Sequence, residues 1–200
     1  MSDAQALPPV AVVVNHQVAD FDTWKRVFDA SEQDRRAAGI VGHHINRGQD
    51  DPNALSVYLA ATDLERAKQF SSSDELKAAM EQAGVISAPS TTWMTPVREA
   101  VVWDRELPAF LLTHSVADFD SWLAGYDAAD ELRTSRGIVG HAANRSMDDP
   151  SVAVIYHQAE SFEALRAFLA DEGLAAAMKE AGVTSEPQVT WHTGGWAKQY

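Results

Sequence analysis

Apolar positions in the first half of the chain change period several times. Val10–His16 is a β-branched run and predicts a strand. Phe21, Trp24, Val27 and Phe28 then recur at helical spacing behind Asp20, a suitable N-cap, and Gly39 stands where a helix C-cap belongs. Ile40–Arg47 and Ala54–Ala61 read as two strands joined by the turn Gly48–Asn53, whose Asp and Pro residues favour turns. Leu64–Phe70 and Glu75–Ala83 are Ala-rich helical stretches interrupted by three serines and closed by Gly84. Ser90–Thr95 is the last strand, which makes the order β-α-β-β-α-β.

The same pattern is written twice. Val18-Ala19-Asp20-Phe21-Asp22 and Trp24 return as Val116-Ala117-Asp118-Phe119-Asp120 and Trp122, an offset of 98 that holds without a gap. About 36 of 80 aligned positions are identical between His16–Thr95 and His114–Thr193. Fixed self-similarity at this level means duplication. The fold class is therefore α+β: two tandem ferredoxin-like units, residues 1–95 and 108–200, joined by residues 96–107. Each unit would carry helices on one sheet face only, and its twin is the natural cover for the bare face. A single-chain barrel follows, with Ala100–Trp103 as a candidate edge strand tying one sheet to the other.

Composition narrows the partners. Two hundred residues with 46% apolar side chains support a core. A formal charge of −13 would repel a phosphate backbone, so no nucleic-acid partner is expected. The longest apolar run, Val10–Val14, is too short to cross a bilayer, and no membrane partner is expected. With no Cys and neither a basic nor an apolar leader over Met1–Pro9, the expected location is cytoplasmic.

Four features carry a likeness: the V-A-D-F-D-x-W motif, Gly39-Ile40-Val41-Gly42-His43 with Gly137-Ile138-Val139-Gly140-His141, the Asp-Asp-Pro turns and the Ala-Gly-Val helix ends. Together they resemble the antibiotic-biosynthesis-monooxygenase and polyketide-cyclase-like branch of the dimeric α/β-barrel superfamily. The likeness covers nearly the whole chain, twice. It implies two sheets facing each other around a lumen, with a small aromatic or polyketide-like ligand held there or between a sheet and its helices. Relatives include cofactor-independent oxygenases, cyclases, isomerases and haem-handling enzymes. Most are one-copy homodimers, whereas this chain is fused into a pseudo-dimer, and further homo-oligomers are allowed.

Both copies keep the same chemistry-bearing residues. The candidate catalytic set is His16, His43, Arg47 and Tyr58 with their counterparts His114, His141, Arg145 and Tyr156. The candidate substrate-binding set is Asn46, Asn144, Trp93, Trp191, His157 and His192. On the third strand, period-2 geometry sends Leu55, Val57 and Leu59 to the helices and Tyr58 to the lumen. On the second, the set Val41, His43, Ile45 and Arg47 is expected to face the lumen because its polar members recur in both copies. With strand order 4-1-3-2, His16 and Arg47 lie at one edge of the sheet, about 9.6 Å apart. A neutral His there would take a proton from a phenol or an enolisable carbonyl, and Arg with Asn would stabilise the oxyanion. The structural alternative has the His capping a strand–helix junction and the Arg pairing with the Asp-Asp turn. Trp24 and Trp122 fall on the apolar helical stripe and read as core.

His44, His157 and His192 stand where the other copy has Ala142, Leu59 and Met94, so the two cavities are not equivalent. No H-x-x-x-H helix, clustered carboxylate or Cys accompanies them, and no metal site is assigned. Haem through a single His, or a metal ion, is a minor alternative to the cofactor-free reading. The leading reading is thus a cofactor-independent monooxygenase or cyclase for an aromatic or polyketide-like substrate. The alternatives are a non-catalytic binding module and a haem- or metal-handling protein.

Overall fold

Asp20 accepts a hydrogen bond from the Thr23 amide at 2.8 Å and starts the first helix, as Asp118 does through Ser121 in the second repeat. Gly39 and Gly137 end the helical segments with φ of 80° and 83°, a conformation that other residues reach only with strain. The computed structural model describes residues 6–200. The first repeat runs β1 (Val10–Gln17), α1 (Phe21–Ala30), α2 (Glu32–Ala37), β2 (Ile40–Gly48), β3 (Ala54–Ala61), α3 (Leu64–Ser71), α4 (Asp74–Gln82) and β4 (Ser90–Ala100). The second runs β5 (Leu107–Ser115), α5 (Phe119–Ala128), α6 (Asp130–Ser135), β6 (Ile138–Ser146), β7 (Val152–Ala159), α7 (Phe162–Leu169), α8 (Glu172–Glu180) and β8 (Gln188–Gln199). The stretch read as one helix after Phe21 is divided at Ser31, which ends α1 and precedes α2.

All eight strands close into one antiparallel barrel in the order β1-β3-β2-β8-β5-β7-β6-β4. Each repeat contributes the order 4-1-3-2, as the sequence reading had it. What differs is the seam. Instead of two separate sheets face to face, β4 runs past Met94 to pair with β6, and β8 runs past His192 to pair with β2. The residues read as a connector begin as strand: Pro96–Ala100 belong to β4, whereas Val101–Trp103 lie outside any strand. The hydrogen bonds that close the barrel therefore pass between the repeats at both seams.

Two layers of apolar packing result. Outside the barrel, Phe21, Trp24, Ile45, Leu55 and Val57 of the first repeat form one cluster under its helices. The equivalent layer of the second repeat gathers Phe110, Trp122, Ile155, Leu165 and Phe168. Inside, Ala11, Val13, Met94 and Val154 meet around the barrel axis. Among the described residues no helix is long and apolar enough to cross a membrane.

Candidate functional site

The helix-covered face of each repeat holds a slot between sheet and helices. In the first repeat its cavity is about 150 Å³, walled by Val12, Val57, Leu59, Trp24, Phe28 and Trp93. His16 and Arg35 reach it, with the hydroxyl residues Ser31, Ser71 and Thr91 also in its lining. In the second repeat the same slot measures about 60 Å³. Exchanges at offset 98 that add bulk around the second slot include Val12 to Phe110, Ala67 to Leu165 and Phe28 to Tyr126, and Leu59 becomes His157. Phe110 and Leu165 are wholly buried and occupy the space that Val12 and Ala67 leave open.

His16 ends β1 and rests on the Trp24 ring, centroids 5.6 Å apart. It is 8% exposed, and neither ring nitrogen has a hydrogen-bond partner. Burial lowers its pKa to about 4, so the ring is neutral at ordinary pH. His114 repeats this arrangement against Trp122, with the same cause and direction.

Arg35, which the sequence reading left out, is the cation of the slot. It is 3% exposed. Its Nε donates to Tyr200 Oη at 2.6 Å, its Nη1 donates to the Phe28 carbonyl, and its Nη2 has no partner. Because an arginine can only donate, Tyr200 must accept there and give its own proton to His43 Nδ1, 2.8 Å away. His43 is thereby fixed as a neutral acceptor on Nδ1, in keeping with a pKa lowered to about 4 by burial first and by Arg35 second. In the second repeat Arg133 spends Nη1 on the Tyr126 carbonyl and Nη2 on Asp130 at 3.2 Å. The residue matching Asp130 is Glu32, which turns away to Arg36 at 3.0 Å and Lys198 at 2.6 Å, and so leaves Arg35 Nη2 free. A signal for Arg35 existed: it recurs as Arg133, and it continues the stripe Trp24, Val27, Phe28, Ser31 at helical spacing.

The register of His16 and Arg47 is as read from the sequence, since both pair with Leu55 of the strand between them. The face is not. His43 packs edge-on to Phe28, Ile45 lies under α1, and Arg47 lies 3.8 Å over the Phe21 ring. These residues therefore turn to the helices, and the lumenal face of β2 belongs to His44 and Asn46. Recurrence of polar residues was the wrong criterion, because Arg47 is kept for the turn it holds: its Nε donates to the Pro52 carbonyl at 2.7 Å, as Arg145 does to Pro150 at 2.8 Å. Neither arginine lines the slot of its repeat.

The remaining candidates divide between the faces. Tyr58 and Tyr156 point into the lumen, as period-2 geometry required, and burial raises both hydroxyls above the ordinary tyrosine range. Asn46 accepts from Tyr156 Oη at 2.7 Å across the barrel, and Asn46 and Asn144 donate to the Ser56 and Val154 carbonyls. Trp93 walls the first slot, and Trp191 packs on Phe110 and Phe162 outside the barrel. His141 meets Tyr126 Oη at 2.8 Å. His157 lies on the helix side against Phe110 and Phe168, whereas His192 faces the lumen, so the sheet itself separates them. Among the described residues no three His, Cys, Asp or Glu side chains gather as a metal site.

This architecture is the dimeric α/β barrel made from one chain. No protein-family model and no curated protein matches the sequence. Solved structures match the fold. A "putative monooxygenase" from Lactobacillus acidophilus superposes with a TM-score of 0.68 at 12% identity, over 96% of both chains. An anthrone oxidase-like protein gives 0.68 at 12% identity, over 96% of this chain and 93% of its own. A mutant chlorite dismutase from Candidatus Nitrospira defluvii gives 0.57 at 13% identity, over 94% and 92%.

Proposed function

We propose that the first repeat's slot is the active site of a cofactor-independent oxygenase acting on a small phenolic or otherwise enolisable aromatic compound. The observation that carries this reading is an apolar cavity of about 150 Å³ with a neutral, unpartnered His16 on its wall. Cavities of that size accept one benzene-like ring. A tricyclic polyketide would require the helices to part, and a haem macrocycle is larger still, so a single ring suits the slot best.

The chemistry needs only dioxygen. His16 takes the phenol proton, and the positive charge of Arg35 Nη2 favours the resulting oxyanion in a dry, low-dielectric site. The phenolate ring carbon then forms a bond to dioxygen. Loss of the ring C–H proton and cleavage of the O–O bond give a quinone and water, so one oxygen atom enters the product and the other leaves with two substrate hydrogens. The names of the neighbours, a monooxygenase and an anthrone oxidase-like protein, agree with this class of reaction.

The test is aerobic incubation with a panel of monocyclic phenols, followed by oxygen uptake and product mass. A product heavier by one oxygen and lighter by two hydrogens is expected, with His16→Ala slower by about 100-fold, the lower range for a proton-transfer residue. Full activity in His16→Ala would end the assignment. A second reading, ligand binding without turnover, is favoured by the low basicity of His16. It predicts saturable binding of the same phenols with no product at all.

A further inference from the structure

The barrel's interior plays no part in the chemistry above, yet it is built asymmetrically. His44, His192 and Gly194 stand where the pseudo-twofold places Ala142, Met94 and Pro96, so at these three positions one side of the lumen is polar or open and the other apolar, and it is on that second side that Glu99 pairs with Ala142. On the polar side three atoms converge. A Cβ placed on Gly194 would lie 2.3 Å from Asn46 Oδ1, 2.7 Å from Tyr156 Oη and 2.9 Å from His44 Nε2. Gly194 lets these three side chains close on the strand. Tyr156 already donates to Asn46, but His44 Nε2 has no partner although the residue is only 3% exposed.

The charge in this lining is Glu99, half-buried on β4. Among the described residues it makes no ion pair; burial raises its pKa, and the neighbouring Trp103 indole acts in the opposite direction. The imidazoles that share the lining, His44 and His192, are kept neutral by burial. A half-buried carboxylate without a countercharge is costly, and a cation relieves it. Aromatic rings stand by: the His44 ring is 5.5 Å from Trp103 and 5.6 Å from Tyr156. Ring faces of this kind attract ammonium groups. The chain's charge of −13 raises the local concentration of cations further.

We propose that the lumen binds a small primary ammonium ion, its charge against Glu99 and the Trp103 and Tyr156 rings, and its N–H groups on Asn46 Oδ1 and His44 Nε2. The cavity sets the size. It measures about 40 Å³, and since one water needs about 10–15 Å³ in this measure, about three non-hydrogen atoms fit. Ethylammonium is the largest simple member of that class.

Calorimetric titration of the full chain at pH 8 with ethylammonium chloride, against sodium chloride at equal ionic strength, tests this. Saturable binding is expected with ethylammonium only, at least ten-fold weaker in Glu99→Gln and equally weakened in Ala142→Leu, which fills the lumen beside Glu99, its cross-strand partner, and leaves the carboxylate itself in place. Leu174→Ala, in the second repeat's slot and away from the lumen, should bind as the parent does. No saturable heat, an equal response to sodium, or undiminished binding in Glu99→Gln overturns the proposal. Circular dichroism reports whether each variant is folded, and if Glu99→Gln is not, Ala142→Leu decides by the same criterion.

Discussion

Arg35 of the first repeat and Tyr200 of the second meet at 2.6 Å, Nε to Oη, across 165 positions of sequence. The segment that carries Tyr200 follows β8, the strand that crosses the seam to pair with β2, so one repeat supplies a hydroxyl to the cation of the other's slot. In the second repeat the hydroxyl beside His141 comes instead from Tyr126 on its own helix. Tyr200→Phe should leave Arg35 Nε and His43 Nδ1 both unmet. A loss of about 1–3 kcal/mol in urea unfolding is expected, the usual penalty for an orphaned buried polar group. If the slot is the active site, the KM for phenols should rise as well, because Arg35 loses its tether.

All seven histidines have pKa values lowered by burial, five of them to about 4. The unfolded chain then binds more protons than the native one between about pH 6.5 and pH 4. Stability is therefore constant above that window and falls as pH drops through it. Urea midpoints measured from pH 8 down to pH 4 should decline steadily below 6.5. A flat profile over that range would show that the imidazoles are open to water.

The same shift bears on turnover. With His16 neutral down to about pH 4, the acid limb of kcat/KM should lie near 4 and not near 6.5, the ordinary histidine value. A pH–rate profile with its acid limb at the ordinary value would place His16 in a wetter site than the slot described.

Exchange of the residues that fill the second slot should move the binding site. Val12→Phe is expected to abolish phenol binding in the first repeat. Phe110→Val with Leu165→Ala should open the second, at a cost of several kcal/mol for the space created in a packed layer. Equilibrium dialysis with a labelled phenol reads both. Binding unaffected by Val12→Phe would place the ligand elsewhere.

Gly194→Ala should destabilise the protein by about 1–3 kcal/mol, since its Cβ meets Asn46 Oδ1 at 2.3 Å and the strand backbone cannot yield freely. The matching position in the first repeat holds Pro96. A neutral result in thermal unfolding would mean that the Asn46 and Tyr156 pair relaxes without loss.

Much of the fold could be read from the sequence because its determinants are local. The Asp20 cap, the positive-φ Gly39 and the alternation along Ala54–Ala61 each involve neighbours a few positions apart, and the offset of 98 supplied the topology twice. The seams were harder. Nothing in Pro96–Ala100 announces pairing with β6, because that choice is made by a partner strand about 45 positions away. The slot was half legible. The lumenal Tyr58 follows from strand period and the place of His16 at the sheet edge from strand order, whereas β2 was turned the wrong way because its alternation carries polar residues on both faces. Arg35 was missed since a guanidinium on an apolar stripe looks like solvent-facing charge until the Phe28 ring beneath it is seen.

Joining the two units covalently changes what a single substitution can do. In a pair of identical subunits, a phenylalanine at the place of Val12 would obstruct both slots at once and end binding altogether. Here Phe110 narrows one slot and leaves the other open, so the two halves can carry different residues at the same place in the fold.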